Sequence, residues 1–231
     1  ELQKATQGKT VSHHRHFDAV VVETDTRALD GLTHDTDTEV FFIPIVGENF
    51  DGHSFIEEAY HKNVAGCLVN QSWILAHPEL NRFPNLLVVP DTTLAYLSLG
   101  QFHRERINPI VVGITGSSGK TTVKEMLYEL LSTHKKCQKT AKNHNNEIGV
   151  AQTLLGLESD TEVLIVEMGM RGLGQISPLS QNAKPNIAVI TNIGPAHIGL
   201  LGSLEAIAEA KLEIADGLDI ATGLLVVNAD D

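Results

Sequence analysis

The sequence predicts an α/β protein in two parts: a small α/β domain over residues 1–107, then a mainly parallel α/β domain over residues 108–231. Three observations carry this prediction. Short apolar runs rich in Val, Leu and Ile alternate with helical patterns along most of the chain. The pattern restarts at Asn108-Pro109, where proline restricts the residue before it and the run IVVGIT opens a new buried strand. In the second part the polar motifs follow apolar strands, and the carboxyl ends of strands are where open parallel sheets take their ligands.

In the first part AVVVET (19–24), EVFFIPI (39–45), GCLVN (66–70) and LLVVP (86–90) read as strands, with FIEEAYHKN (55–63) and TTLAYLSLGQFHRER (92–106) as helices. The second part opens with a strand from Ile110 to Thr115, a Gly-rich turn, a helix from Lys120, a short strand near Cys137 and a helix from Gly149. A strand from Val163 to Glu167, a helix near Ile176, a strand from Ile187 to Thr191, a helix from Ser203 to Ala215 and a strand from Gly223 to Val227 complete it. Such alternation implies right-handed crossovers and a sheet covered on both faces. The sequence stops at Asn228-Ala229-Asp230-Asp231, directly after an apolar strand, so a longer natural chain is expected. The cluster Ser12-His13-His14-Arg15-His16 reads as a solvated terminal segment without an assigned role.

Composition narrows the function classes. At 231 residues and 42% apolar content the chain can bury proper cores. A formal net charge of -12 argues against a sequence-independent grip on nucleic acid or an anionic membrane, since both need a cationic face. Cys67 and Cys137 cannot form a multi-bridge framework or a four-sulfur zinc site, which fits a reducing compartment. No apolar run reaches the ~18 residues of a membrane span, and the start lacks a secretory signal, so a soluble, cytoplasmic protein is expected.

The segment Thr115-Gly116-Ser117-Ser118-Gly119-Lys120-Thr121-Thr122 lies between a strong strand and an amphipathic helix, the context a phosphate-binding loop requires. Its glycines let backbone N–H groups point inward, the helix N-terminus adds partial positive charge, and the Lys120 ammonium can reach the outer phosphates. The Thr121 hydroxyl is then available to Mg²⁺. Only two residues separate Gly116 from Gly119, against four in the general pattern, which points to a family with the shorter T-G-x-x-G-K-T loop.

Five further positions are weaker alone. Asn145 and Asn146, in the amide-rich Asn143–Gly149 segment, suit ligand binding, but capping a helix explains them as well. Glu167 ends the apolar strand VLIVE at the same edge as the loop, and a carboxylate there suits Mg²⁺ better than plain solvation. His197, beyond the strand IAVIT, is as readily a hydrogen-bonded structural residue as a ligand. Lys211 reads by chemistry alone as a surface lysine paired with Glu205 or Glu209.

Taken in order and spacing, TGSSGKTT, NHNNEIG, E-M-G, NIGPAHIG, AKLEI and VVNADD resemble the central domain of the Mur ligases over Ile110–Asp231. Upstream, Thr24-Asp25-Thr26-Arg27 and FFIPIVGENFDGHSFIEEA are similar to the N-terminal domain with which that family holds the UDP end of its substrate. The resemblance implies ATP on the loop from Thr115 to Thr122, with Lys120 on the β- and γ-phosphates and Asn145 and Asn146 against nucleotide or reacting substrate. It implies one Mg²⁺ on Thr121 and Glu167, a second helped by His197, and a carbamylated Lys211 at the metal site. Lys120, His197 and Lys211 are then the catalytic set, and Thr26, Arg27, Asp51, Gly52 and His53 the UDP-substrate contacts.

Within the family, NxNNEIG and EMG followed by GQI are most similar to the branch that joins D-alanyl-D-alanine to UDP-MurNAc-tripeptide in peptidoglycan synthesis. Gln175 departs from the acidic residue common there. The alternatives are a relative that adds a single amino acid, or a noncatalytic nucleotide-binding module. The family's C-terminal domain, which supplies adenine contacts and the amine site, is absent from this sequence. The chain alone is therefore expected to hold UDP-substrate without turnover, as a monomer.

Overall fold

The computed structural model describes residues 1–10, 20–32, 39–47, 50–196 and 198–230. The histidine cluster and His197 fall outside these residues. The chain divides into two compact units, Glu1–Tyr96 and Leu97–Asp231.

The first unit contains helix α1 (Leu2–Thr6), strands β1 (Lys9–Thr10) and β2 (Val21–Glu23), helix α2 (Thr26–Leu32) and strand β3 (Val40–Phe42). A short antiparallel pair follows, β4 (Val46–Gly47) and β5 (Phe50–Asp51), then α3 (Ile56–His61), β6 (Gly66–Asn70), α4 (Gln71–Ala76) and β7 (Leu86–Val89). Its sheet runs β1-β7-β6-β3-β2, parallel throughout except for β1, which pairs antiparallel to β7. The four predicted strands are present, GCLVN at its predicted bounds and the other three trimmed at their ends, and α1, β1, α2, α4 and the β4–β5 pair are additions. The central strands are buried on both faces, as parallel sheets require, and Leu29, Phe42, Ile56 and Leu86 fill the core beside them. Each such side chain removed from water contributes roughly 1.5–3 kcal/mol.

Helix α5 (Thr92–Ile107) carries the division between the units, which falls after Tyr96 and not at Asn108, where the sequence pattern restarts. Its later turns belong with the second unit. His103 Nε2 hydrogen-bonds to Leu157 O (2.9 Å), Arg104 Nη2 donates to Lys184 O (3.1 Å), and Gly100 lies against Leu154.

The second unit continues with β8 (Ile110–Thr115), α6 (Lys120–Leu131), β9 (Cys137–Lys139), α7 (Glu147–Leu155), β10 (Val163–Glu167), α8 (Ile176–Ala183), β11 (Ile187–Ile190), α9 (Ile198–Leu201), α10 (Leu204–Leu212) and β12 (Leu224–Val227). Its five strands are all parallel in the order β12-β11-β8-β10-β9. Strand β8 therefore lies between β10 and β11, at the position where the winding reverses. Open parallel sheets take their ligands at such a position, beyond the strand carboxyl ends.

Helix boundaries shift from the predicted ones for local reasons. Helix α7 starts at Glu147 rather than Gly149 because Asn146 Oδ1 accepts from Gly149 N (3.0 Å) and caps it. Helix α10, capped by Ser203, ends at Leu212 and tightens into a 3₁₀ turn over Glu213–Gly217. That turn fits against α8: a Cβ on Gly217 would come within 2.1 Å of Ser180 O. Glu213 also accepts hydrogen bonds from Ile176 N and Ser177 N, and so supplies the cap that α8 lacks locally.

Candidate active site

Strand β8 delivers the chain into the loop at the switch point, and the loop's shape depends on its two glycines. Gly116 has φ +148° and Gly119 φ +78°, conformations that favour glycine. Gly119 is followed directly by the first turn of α6, whose N–H groups have no intrahelical acceptor and face whatever anion the loop takes. Lys120 Nζ donates to Gly116 O (2.7 Å), so the ammonium lies folded across the loop it serves.

The segment after β11 fastens this loop. Asn192 O accepts from Ser117 N (3.0 Å), and Asn192 Oδ1 accepts from Ser118 N (2.9 Å) while its Nδ2 donates to Ser118 Oγ (2.8 Å). Thr191 Oγ1 donates to Ser118 O (2.6 Å), and Ser117 Oγ accepts from Gly194 N (2.9 Å). Two of the predicted phosphate donors, the N–H groups of Ser117 and Ser118, are thus already occupied. Thr115 is buried and its hydroxyl is closed to solvent, so its place is behind the loop. The anion-binding capacity concentrates in Lys120 and the first turn of α6.

Glu167 ends β10, paired in register with Ile114 beside the loop, and is only 6% exposed. Three donors converge on its carboxylate: Thr121 Oγ1 on Oε2 (3.0 Å), Asn145 Nδ2 on Oε1 (3.2 Å) and Lys124 Nζ at 3.3 Å from Oε2. The buried Thr140 hydroxyl accepts from Glu167 N (3.0 Å) and fixes the backbone beneath it. Asn145 is seated by its carbonyl, which accepts from Gly169 N (2.8 Å), and Gly169 leaves room where a Cβ would meet the Asn145 side chain at 2.9 Å. The two asparagines therefore separate in role: Asn145 reaches the carboxylate, whereas Asn146 caps α7.

The hydroxyl of Thr121 and the carboxylate of Glu167 form a hard-oxygen pair suited to Mg²⁺, which completes its shell with water and phosphate oxygens. Among the described residues no three His, Cys, Asp or Glu side chains gather into a site for a metal held by protein ligands alone. Lys211 on α10 is 1% exposed and pairs with no carboxylate among the described residues, so the expected partnership with Glu205 or Glu209 is not formed. Burial, and then the nearby charge of Lys120, pull its ammonium down to about 8.

A sequence profile of the Mur ligase middle domain matches residues 114–231, the stretch that carries the loop, Glu167 and Lys211. The chain belongs to the Mur ligase family. It is 42% identical over 210 residues to the UDP-N-acetylmuramoyl-tripeptide--D-alanyl-D-alanine ligase of Bacillus subtilis, an alignment covering 91% of this chain and 43% of that protein. Its fold is similar to the crystal structure of MurF from Acinetobacter baumannii, with a TM-score of 0.78 at 32% identity over 98% of this chain and 47% of that one. The MurF ligase of Thermotoga maritima, solved in complex with ADP, gives a TM-score of 0.79 at 28% identity over 94% and 48% of the two chains. This Mur ligase chain thus spans less than half the length of these relatives.

In the first unit of this Mur ligase chain, the expected substrate contacts divide by exposure. Arg27 is exposed and held by Asp25 through a two-pronged pair (Nε–Oδ1 2.8 Å, Nη2–Oδ2 2.6 Å), which draws the Asp25 carboxyl down to about 2. Asp51 is half-exposed, while Thr26 is buried at the start of α2. His53, expected as a contact, is 2% exposed with both ring nitrogens engaged: Nδ1 with Asp51 Oδ1 (2.6 Å) and Nε2 accepting from Asn70 N (2.9 Å). Its role is to hold the turn. Gly52 serves the same turn, because a Cβ there would sit 2.7 Å from Ile45 N.

Sequence reasoning passed over Lys124, Thr140, Thr191 and Asn192. Lys124 follows Lys120 by four residues, so both lie on one face of α6, and that spacing was the available signal. For Asn192 the signal was its position just past β11, at the same edge as the loop.

Proposed function

We propose that this chain is the front portion of an ATP-dependent ligase that joins D-alanyl-D-alanine to UDP-MurNAc-tripeptide. The observation that carries the reading is the convergence of Lys120, Thr121 and Glu167 at the switch point of a Mur-type sheet. The identity to ligases of that name supports the choice of branch. A carboxylate and an amine do not condense unaided, because hydroxide is a poor leaving group. Phosphoryl transfer from ATP to the tripeptide carboxylate gives an acyl phosphate, and attack by the dipeptide amine forms the amide and releases phosphate.

The residues of this chain serve that sequence mainly by positioning and charge neutralisation. Lys120 moves from Gly116 O to the outer phosphates, and the α6 N-terminus faces the same anion. Thr121 and Glu167 would hold Mg²⁺, which when bound neutralises charge on the transferred phosphoryl group. Buried Lys211 has the lowered basicity that exposes a neutral amine to CO₂, so a carbamate there adds an anion to the metal side of the site. His197, outside the described residues, keeps the part in binding a second Mg²⁺ that the family resemblance implies. Of the expected contacts, Arg27 and Asp51 are the exposed polar groups that would meet the UDP end. The reading places the enzyme in the cytoplasm, and no helix among the described residues is long and apolar enough to cross a membrane.

The test is phosphate release by the full-length protein with ATP, UDP-MurNAc-tripeptide and either D-alanyl-D-alanine or a single amino acid. Release with the dipeptide alone is expected. Release only with a single amino acid moves the protein to another branch of the family, and none with either acceptor makes it a nucleotide-binding module.

A further inference from the structure

We propose that Lys124 is an internal counter-ion that makes cation binding at Glu167 conditional on nucleotide. The inference rests on the reading of Glu167 as a Mg²⁺ ligand and assigns the control of that ligand to a residue outside the phosphate loop. Lys124 is 1% exposed, and its ammonium lies 3.3 Å from Glu167 Oε2, the same oxygen that accepts from Thr121. Glu125 lies farther from it, at 3.7 Å, and is itself engaged by Lys139, which also covers the Tyr128 ring. The charge of Lys124 is therefore directed at Glu167.

The consequence follows from the charges gathered at the loop. Glu167 is the buried carboxylate, and Lys124 already balances it. Lys120 lies across the loop, and its charge is felt at the buried Lys211. A free divalent cation approaching Glu167 therefore meets a neutralised carboxylate and further positive charge, in a setting where burial weakens solvent screening. Nucleotide phosphates reverse that balance by bringing several negative charges to Lys120 and the α6 N-terminus. The cation then enters with the nucleotide, as a pair. Such ordering keeps free metal from occupying the carboxylate while the phosphate site is empty.

The coupling is reciprocal, so it can be measured from either ligand. The probe is Mn²⁺, followed by the loss of its free electron-spin resonance signal on titration with this chain, with and without a non-hydrolysable ATP analogue. The chain is expected to bind Mn²⁺ weakly alone and far more tightly with the analogue. Lys124→Gln and Lys124→Met are expected to strengthen Mn²⁺ binding without nucleotide by about tenfold or more, and to reduce the coupling factor by the same ratio. Lys124→Arg, which keeps the charge, is expected to keep the coupling. A purely structural ion pair would change the melting temperature in the neutral variants and leave the coupling alone.

Equal Mn²⁺ affinity with and without nucleotide in the unsubstituted chain overturns the proposal, even if the neutral variants do not fold. So does unchanged coupling in a folded Lys124→Gln or Lys124→Met chain. Glu167→Gln separates this from failure of the metal reading: if it leaves the Mn²⁺ dependence of nucleotide binding intact, Glu167 is not the ligand.

Discussion

Three glycine-to-alanine substitutions in the second unit should fall in a fixed order of damage, because the structure gives each a different obstacle. At Gly116 a Cβ would sit 1.9 Å from Thr191 Oγ1 and 3.1 Å from Thr191 Cβ, on a backbone with φ +148°. The contact is impossible as it stands. Thr191 must turn away, and with it goes the hydrogen bond to Ser118 O that fastens the loop. Backbone strain of about 1–3 kcal/mol and a hydrogen bond of about 1 kcal/mol sum to a loss of roughly 2–4 kcal/mol. At Gly119 the φ of +78° is strained for alanine, but the nearest atom is Thr191 Cβ at 4.0 Å, so strain alone applies, about 1–2 kcal/mol. At Gly172 nothing lies within 4 Å and no positive φ is required, which leaves the change within about 0.5 kcal/mol.

Thermal unfolding of the three variants checks the order directly. For a chain of this size each kcal/mol moves the midpoint by about 2–4 °C, so Gly116→Ala should lose roughly 5–15 °C, Gly119→Ala a few degrees and Gly172→Ala almost nothing. Binding of a fluorescent ATP analogue should follow the same order, since the residues disturbed are those that shape the phosphate loop. A Gly116→Ala chain that melts within about 1 °C of the unsubstituted one and keeps its nucleotide affinity would show that the Thr191–Ser118 latch does not hold the loop.

Other consequences follow from single contacts. With Lys211 near 8, about a quarter of the side chains are neutral at roughly pH 7.5, against about one in a thousand for an ordinary lysine. In ¹³C-bicarbonate a carbamate resonance should therefore appear and vanish in Lys211→Met; its absence from the unsubstituted chain counts against a carbamylated site. His53→Ala leaves Asn70 N–H without its acceptor and unstacks Trp73, at an expected cost of about 2–4 kcal/mol in urea unfolding. Burial holds the folded-state affinity of His53 for a proton below its unfolded value of about 6.5, so its contribution is present above that pH and is lost as the pH falls below it. Unfolding at pH values on either side should show this slope in the unsubstituted chain and less of it in His53→Ala. Replacing Arg27 by Met should return the Asp25 carboxyl from about 2 toward the usual carboxylate value near 4, as read by NMR titration.

What could be read in advance, and what could not, separates along physical lines. Runs such as IVVGIT and VLIVE are legible because a strand buried on both faces must be apolar throughout, and the loop is legible because phosphate binding demands glycines, a lysine and a helix start within a few residues. Glu167 was legible for a related reason: a carboxylate at the carboxyl end of such a strand is brought to the sheet edge by the strand itself. The partners that make these residues a site lie far off in sequence. Asn192 holds Ser118 across more than seventy residues, and Glu213 caps α8 from the 3₁₀ turn after α10. Local pattern carries no record of such pairings.

His53 and Lys124 show the same limit from opposite sides. His53 was named through the resemblance of the stretch around DGHSF, and it is buried with both nitrogens engaged, one of them by an N–H seventeen residues away. Lys124 drew no notice in the sequence, yet it is buried against Glu167, forty-three residues on, because the α6 face that carries Lys120 and Thr121 turns toward the end of β10. A lysine is costly to bury unless something compensates its charge. Here the compensating group is the carboxylate on which the metal reading depends, so the residue least visible in the sequence bears most directly on how the site accepts its ligands.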